Sequence, residues 1–164
     1  MSTSPGRSHH LIASLGLIAH PEGGYYREVY RSTSSVKPSD RREPRSALTT
    51  IYFLLTKGQF SRWHRVQSDE VWHFYEGATL DLWMTSPEIS RVEHHRLGSA
   101  DTVRQPVLVV PAGWWQAARS SGAYTLTGCT VGPGFDFEDF ALAADDPASA
   151  AAFRQLGGPT AALL

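Results

Sequence analysis

Apolar and polar residues alternate with a period of two over most of this chain, which is the spacing of half-buried β-strands. Glycine, proline and polar turn residues interrupt the alternation at short intervals, so each segment has only the length of a strand. Many short strands with close turns indicate a sandwich or barrel. The pattern predicts strands over Tyr25–Tyr30, Ser46–Thr56, Phe60–Val66, Val71–Tyr75, Thr79–Met84, Arg91–Leu97, Val107–Val110, Gln116–Ser120, Tyr124–Val131 and Phe135–Leu142.

Helical spacing is confined to the two ends of the chain. A short helix is predicted over Ser8–Leu15, with Ser8 as its N-cap and Gly16 as its stop. The Ala-rich segment Pro147–Leu156 predicts a second short helix. Between the strands, Lys37–Arg45 is charged and interrupted by proline, so it predicts a mobile surface loop.

Composition narrows the class of protein. A chain of 164 residues predicts one domain over 1–164, with its core at about 10–143. The net charge of −1 lacks the basic excess of a nucleic-acid binder, and the apolar runs are too short to cross a membrane. The polar N-terminus has no apolar signal segment, and the single cysteine, Cys129, suits a reducing compartment, so we expect a cytoplasmic protein.

Two segments have the composition of a binding site. They are GQFSRWHRVQSDEVWHFYEG, which begins at Gly58, and PAGWWQAARS, which begins at Pro111. These segments resemble the two signature motifs of the cupin superfamily. The matching positions are Gly58, His64, Glu70 and Gly77 in the first motif, and Pro111 and Gly113 in the second.

The chain as a whole is similar to the small-cupin family known as cupin type 5, whose members have largely unassigned function. The phrases that carry the resemblance are HPEGGYYREVYRS, FSRWHRVQSDEVWHFYEG, VPAGWWQAA and GCTVGPGFDFEDFALA. The resemblance implies an all-β, single-domain jelly-roll barrel (RmlC-like), usually paired as a homodimer. It does not imply a reaction.

The cupin register places His64 and Glu70 inside the barrel. Because side chains alternate along a strand, residues two positions apart from these should share the interior face. Tyrosines near the start of the barrel are candidates for the opposite wall. The predicted substrate-binding residues are therefore Arg62, Trp72, Phe74, Gln116, Tyr25 and Tyr52, with Tyr26 as an alternative to the last two.

The resemblance also implies a metal centre, which in a typical cupin uses three His and one Glu. Here Val66 stands where the second His belongs, Gln116 where the third belongs, and Ser120 replaces an Asn. Only His64 and Glu70 remain as ligands, and two protein ligands hold a cation weakly. We therefore expect no metal or other cofactor, with weak metal binding at His64 and Glu70 as the alternative.

Three functions remain open. In the first, the protein is a metal-independent isomerase or epimerase for a small polar metabolite, with His64 as base and Glu70 as its orienting partner. Arg62 would pair with an anionic group of the substrate, and a tyrosine would supply a proton, in the manner of metal-free sugar-nucleotide epimerases of the superfamily. In the second, the protein only binds its ligand. In the third, it is a weakly metal-dependent enzyme.

Two other polar segments have expected places. The turn Glu22–Tyr25 could rim the pocket, and Asp136, Glu138 and Asp139 are expected to form a solvated edge. Leu54 and Val109 are expected in the apolar core.

Overall fold

The computed structural model describes residues 6–164, so residues 1–5 of the predicted domain lie outside the described range. Short strands make up most of the fold, and none of the helices in residues 6–164 has the length and apolar character needed to cross a membrane. The helices are α1 (Arg7–Leu15), α2 (Pro147–Leu156) and α3 (Gly158–Ala161), with single 3₁₀ turns at Phe137–Asp139 and Ala143–Asp145. The strands are β1 (Ile18–Ala19), β2 (Tyr25–Arg31), β3 (Ser35–Val36), β4 (Arg45–Ser46), β5 (Thr49–Thr56), β6 (Phe60–Val66), β7 (Asp69–Gly77), β8 (Leu80–Thr85), β9 (Glu93–Leu97), β10 (Val107–Val110), β11 (Trp115–Ser120), β12 (Tyr124–Gly132) and β13 (Phe140–Leu142).

Two antiparallel sheets face each other. The first has six strands in the order β1-β2-β5-β12-β7-β10, and the second has five in the order β13-β6-β11-β8-β9. A two-stranded ribbon, β3-β4, stands beside them. The predicted all-β barrel with a short helix near each end is confirmed.

One half of the barrel interior is filled with apolar side chains from both sheets. Leu80, Leu82 and Leu97 of the second sheet have no exposed surface, and they pack against Phe53 and Trp72 of the first. Burial of such side chains stabilises the fold by about 1.5–3 kcal/mol each. Trp72 therefore belongs to this core.

The outer face of each sheet is covered by a terminal helix. Helix α1 packs Leu11 against Leu54 on the first sheet. On the second sheet, Phe153 of α2 stacks on Trp63 at 4.3 Å between ring centroids and meets Trp115 edge-on at 6.0 Å. Because α2 covers the outer face of β6 and β11, Trp63 and Trp115 are buried although they point away from the barrel interior.

Three local predictions are wrong. Helix α1 begins at Arg7 after Gly6, with no side-chain cap, so Ser8 lies inside the helix. Phe137–Asp139 forms a 3₁₀ turn, which leaves only Phe140–Leu142 as the last strand. Val109 is 52% exposed because β10 is an edge strand with its odd positions facing outward, whereas Leu54 is fully buried.

The predicted solvated edge is also wrong at Asp139, which is 5% exposed. Both oxygens of this carboxylate accept hydrogen bonds from Arg45, at 3.0 Å each, and Oδ2 also accepts one from Arg42 at 2.9 Å. Burial alone would raise the pKa of Asp139, but the hydrogen bonds from Arg45 and Arg42 outweigh burial and lower it. The charged loop between β3 and β4 is therefore attached to the 3₁₀ turn.

Candidate active site

The other half of the barrel interior is a cavity of about 490 Å³. Its floor carries ionisable side chains from β6, β7 and the turn before β2, and its walls are aromatic and aliphatic. The lining residues include His20, Glu22, Tyr26, Thr49, Ile51, Phe53, His64, Val66, Glu70, Cys129, Val131, Phe135 and Phe137, with Arg27, Glu28, Arg31 and Asp136 toward the rim.

A β-bulge in β6 decides which residues of that strand face the cavity. Gln116 of β11 pairs with His64, but Ala118 pairs with Ser61, so β6 contains one extra residue between them. Ser61 therefore shares the interior with His64. Arg62 turns away from the cavity, and its guanidinium donates to the carbonyl of Pro21. The prediction that Arg62 lines the pocket is wrong for this reason.

His64 is fully enclosed, with 2% of its surface exposed. Its Nδ1 lies 2.7 Å from the carbonyl oxygen of Arg62, and a carbonyl only accepts, so Nδ1 carries a hydrogen. Its Nε2 lies 3.1 Å from Oε2 of Glu22. In a neutral imidazole that already has its hydrogen on Nδ1, Nε2 is an acceptor, and a carboxylate oxygen is an acceptor too. One further proton must therefore lie between Glu22 and His64.

Glu22 is held in place by the turn His20–Gly24. A side chain at Gly23, whose φ is +114°, would come within 2.1 Å of the carbonyl oxygen of Phe60, so this close approach requires glycine. The amide of Arg62 donates to the carbonyl of Glu22 at 2.8 Å, and the Ser61 hydroxyl donates to Glu22 Oε1 at 2.8 Å. Burial raises the pKa of Glu22 to about 8, against the effects of Ser61 and Arg62. Glu22 thus keeps a proton at neutral pH.

Glu70 is a second buried carboxyl group in the cavity. The amide nitrogen of Gln116 donates to Glu70 Oε2 at 2.5 Å, and the amide oxygen accepts from Trp72 Nε1 at 2.8 Å. The indole N–H can only donate, which fixes the orientation of the Gln116 amide. Burial raises the pKa of Glu70 to about 7, although His64 lowers it. The carboxyl group of Glu70 is therefore close to half ionised at neutral pH.

The remaining imidazole, that of His20, lies beside Glu22. Its Nδ1 accepts a hydrogen bond from the Glu22 amide at 3.1 Å, and the same nitrogen is 3.6 Å from Glu22 Oε2. Burial and, to a lesser extent, His64 lower the pKa of His20 to about 3. His20 is therefore a neutral imidazole with its hydrogen on Nε2.

The family profile described as Cupin superfamily (DUF985) matches residues 9–143 of the chain. The chain belongs to the cupin superfamily. This cupin is similar over 84% of its length to a structural-genomics protein from Shewanella oneidensis, with 36% identity, 85% coverage of that chain and a TM-score of 0.76. A hypothetical protein from Leishmania major is 31% identical, with 92% and 98% coverage of the two chains and a TM-score of 0.74.

A more distant likeness exists to oxalate decarboxylase from Bacillus subtilis, at 14% identity and a TM-score of 0.55, covering 76% of this cupin and 29% of the decarboxylase. At that identity the likeness shows the fold alone. A comparison with curated proteins gave no match.

The cupin register brings together only part of the predicted site. His64 and Glu70 do line one cavity, but the carboxyl group in contact with His64 is that of Glu22, and no His64–Glu70 ion pair within 4.0 Å occurs in the described chain. Gln116 lies behind Glu70 and contacts that residue and Trp72 with its amide. The prediction that Gln116 lines the pocket is wrong.

Four aromatic residues predicted to line the pocket do not line it, two because they lie in the other half of the interior and two because of strand phase. Trp72 and Phe74 pack in or against the filled half of the barrel. Tyr25 and Tyr52 point to the outer face of the first sheet, toward the α1 cluster. Tyr26, one residue along β2 from Tyr25, is the tyrosine that lines the cavity.

The residues at the four cupin metal-ligand positions do not fit a metal centre. Val66 has no donor atom, and both polar atoms of the Gln116 amide are already hydrogen-bonded. The Nδ1 of His64 is bound to a carbonyl and its Nε2 faces Glu22. Across residues 6–164, no group of three or more His, Cys, Asp or Glu side chains has a geometry that could hold a metal ion.

The segment His20-Pro-Glu-Gly-Gly was recognised as a turn at the pocket rim, but its length does not show that the Glu side chain folds inward. The signal that could have found it is the Gly-Gly pair directly after a carboxylate, because such a pair permits a close backbone approach. The bulge that brings in Ser61 leaves no mark in the periodicity of β6.

Proposed function

We propose that this cupin is a metal-independent enzyme that transfers protons on a small polar metabolite, in the manner of an isomerase or epimerase. The observation that supports this most directly is the contact of 3.1 Å between Glu22 Oε2 and His64 Nε2, which border a cavity and between which we infer a proton. A purely structural pair needs no cavity beside it. A general acid does, since its proton has to reach a substrate.

In this proposal the carboxyl group of Glu70 is the general base, and Glu22 with His64 is the general acid. Glu70, with its pKa near 7, supplies enough carboxylate at neutral pH to accept a proton. The Glu22–His64 pair, with the pKa of Glu22 raised to about 8, still carries a proton to donate. Groups whose pKa values lie close to the working pH are the most effective general acids and bases.

The volume and walls of the cavity fit a small metabolite. About 490 Å³ lies within the range of small-molecule sites, and Phe53, Val66 and Phe135 provide an apolar surface around the polar floor. An apolar wall lowers the local dielectric constant, which strengthens every polar contact made at the floor.

Solvent-exchange measurements test the proposal. The protein is incubated in D₂O with a panel of carbonyl metabolites, and deuterium at the carbon next to the carbonyl is followed by NMR. We expect exchange with at least one compound, and a loss of about 100-fold or more in Glu22→Gln and His64→Asn. Glu93→Gln, which removes an exposed carboxylate, is the control. Ligand binding without exchange would instead indicate the non-catalytic alternative.

Metal independence has its own measurement. Elemental analysis of protein grown with added iron, nickel, manganese and zinc should give far less than one equivalent per chain. The variant Val66→His/Gln116→His, which restores the ligand types of a typical cupin, serves as the positive comparison. One equivalent of a transition metal bound at His64 in the wild type would overturn the proposal.

We also propose that the protein is a homodimer. Its support is the family membership together with exposed apolar side chains at the sheet edges, such as Ile18 and Tyr30 near one edge and Val107 on the other. Light scattering at micromolar concentration should give about twice the 18.0 kDa chain mass. A mass of one chain would contradict this.

A further inference from the structure

His20 has one nitrogen that no protein atom engages. Its side chain is 6% exposed, and Nδ1 is used as acceptor for the Glu22 amide. The hydrogen of the neutral ring is then on Nε2, which has no hydrogen-bond partner among residues 6–164. His20 lines the cavity. Nε2 keeps accessible surface, so its N–H faces the cavity and can donate to a ligand there.

The ring of His20 is fixed in this orientation. Tyr26 meets it edge-on at 4.5 Å between ring centroids, and Phe53 and Phe140 do so at 6.0 and 6.1 Å. The low pKa of His20, caused mainly by burial, keeps the ring neutral through the physiological range. The donor is therefore preorganised and keeps its single hydrogen.

We propose that His20 is a catalytic residue whose Nε2–H binds the carbonyl oxygen of the substrate, and that the reacting part of the substrate is an uncharged hydroxycarbonyl group. This inference rests on the proposed function, since it names the substrate class for the same site. Its geometric basis is the donor of His20 in one cavity with the carboxyl group of Glu70, which Gln116 holds through Oε2 and which the Cys129 thiol also contacts.

The charge distribution explains why the reacting part is uncharged. Neither lysine nor arginine lies at the floor, since the two arginines of the cavity lie at its rim. There Arg27 donates to the carbonyl of Leu15, and Arg31 donates to both carboxylate oxygens of Glu28 through Nε and Nη2. A carboxylate beside the reacting carbon would meet the partly ionised Glu70, while Arg62, the cation that lowers the pKa of Glu22, is turned to the carbonyl of Pro21.

The chemical step needs no co-reactant. The carboxylate of Glu70 accepts the proton from the carbon next to the carbonyl, and the electron pair of that C–H bond forms the C=C bond of an enediolate. The carbonyl electrons move to the oxygen, which the Nε2–H of His20 stabilises. A proton from Glu70 or from the Glu22–His64 pair then returns to carbon, and the C=O bond forms again.

Binding of a matched pair of compounds tests the inference without catalysis. Protein labelled with ¹⁵N-histidine is titrated with hydroxyacetone, which is neutral, and with pyruvate, which has the same carbon skeleton and carries a carboxylate. We expect hydroxyacetone to move the Nε2–H resonance of His20 downfield, and pyruvate to bind at least tenfold more weakly. Pyruvate binding as tightly as hydroxyacetone, or no response of His20 to hydroxyacetone, would overturn the inference.

Exchange kinetics provide the second arm, with hydroxyacetone in D₂O as the substrate probe. His20→Phe keeps the ring volume but removes the donor, so kcat should fall by about 100-fold or more while KM changes less than tenfold. His20→Gln keeps an N–H donor and should retain more activity than His20→Phe. Equal kcat in wild type and His20→Phe would overturn the role of His20 while leaving the proposed function intact. An absence of exchange in the wild type with every carbonyl compound would reject the proposed function and the catalytic role of His20, and the titration would then decide only whether His20 binds the carbonyl oxygen.

Discussion

The two halves of the barrel interior share strands β5, β7 and β12 but differ in the polarity of their side chains. In the filled half, the side chains of Leu80, Leu82 and Leu97 are apolar and have no exposed surface. In the cavity half, Glu22 and Glu70 are buried at a cost that raises both pKa values. Burial of apolar side chains in the filled half stabilises the fold and offsets the cost of burying ionisable groups in the cavity half. Stability and chemistry should therefore respond to different substitutions.

The hydrogen-bond chain from Trp72 through Gln116 to Glu70 joins the two halves. Trp72 is anchored in the apolar cluster, and the rigid amide of Gln116 transmits that anchoring to the carboxyl group of Glu70. A catalytic carboxyl group positioned in this way loses little freedom when a substrate binds. The filled half is thus a scaffold for the position of Glu70.

Leu82→Ala should have the largest effect on stability. The residue is fully buried between the sheets, so truncation leaves a cavity and should cost about 2–5 kcal/mol. Urea unfolding measures the change, and deuterium exchange at low temperature should remain within about threefold of wild type, because Leu82 does not line the site. A loss of activity as large as the loss of stability would show that the two halves are not separate.

The pH dependence of stability should come from the cavity half. His20, with its lowered pKa, contributes a rise in stability with pH between about 3 and 6.5, and the raised pKa values of Glu22 and Glu70 oppose this rise from about pH 4.5 upward. Above pH 6.5 the raised pKa values of Glu22 and Glu70 act alone, and the folded state binds more protons than the unfolded state. Stability should therefore fall by about 2 kcal/mol between pH 6.5 and 8.

Glu22→Gln is the matched test of this pH effect. The amide mimics the protonated acid in shape and cannot ionise, so the decline above pH 6.5 should become shallower. Glu93→Gln should leave the decline unchanged. An unchanged slope in Glu22→Gln would mean that Glu22 is already ionised in the folded protein at pH 6.5.

His64→Asn should have the smallest effect on stability, about 1 kcal/mol or less, because a polar side chain beside a cavity contributes little packing. Its effect on deuterium exchange should nevertheless be as large as that of any other variant. Thermal unfolding and exchange rates measured on the same sample separate the two quantities. A fall in stability comparable to that of Leu82→Ala would assign His64 to the core.

The sequence predicted the barrel well and the site only partly. Strand alternation and the two motifs place His64 and Glu70 on interior faces, because neither position is displaced by a bulge. Arg62 lies beyond the bulge of β6, so the same counting rule gives the wrong face. Tyr25 and Tyr26 differ by one position, and the alternation within β2 cannot decide between them until β2 is paired with β5.

Glu22 could not be predicted as the partner of His64 because the two residues are joined only by tertiary packing. The turn that carries Glu22 rests on the carbonyl of Phe60, far along the chain from it. Its raised pKa likewise depends on burial by several strands at once. Local patterns carry no information about such a combination.

The attachment of Arg42 and Arg45 to Asp139 has a consequence for how the protein tolerates change in length. Phe137, a wall residue of the cavity, belongs to the same 3₁₀ turn as Asp139, so these two arginines also brace that wall. Residues 37–41 do not line the cavity, although Asp40 accepts from the Arg42 guanidinium and Lys37 donates to the Arg42 carbonyl. Inserted residues or a protease cut should therefore loosen the wall only partly there, whereas the same change between residues 42 and 45 would release the wall.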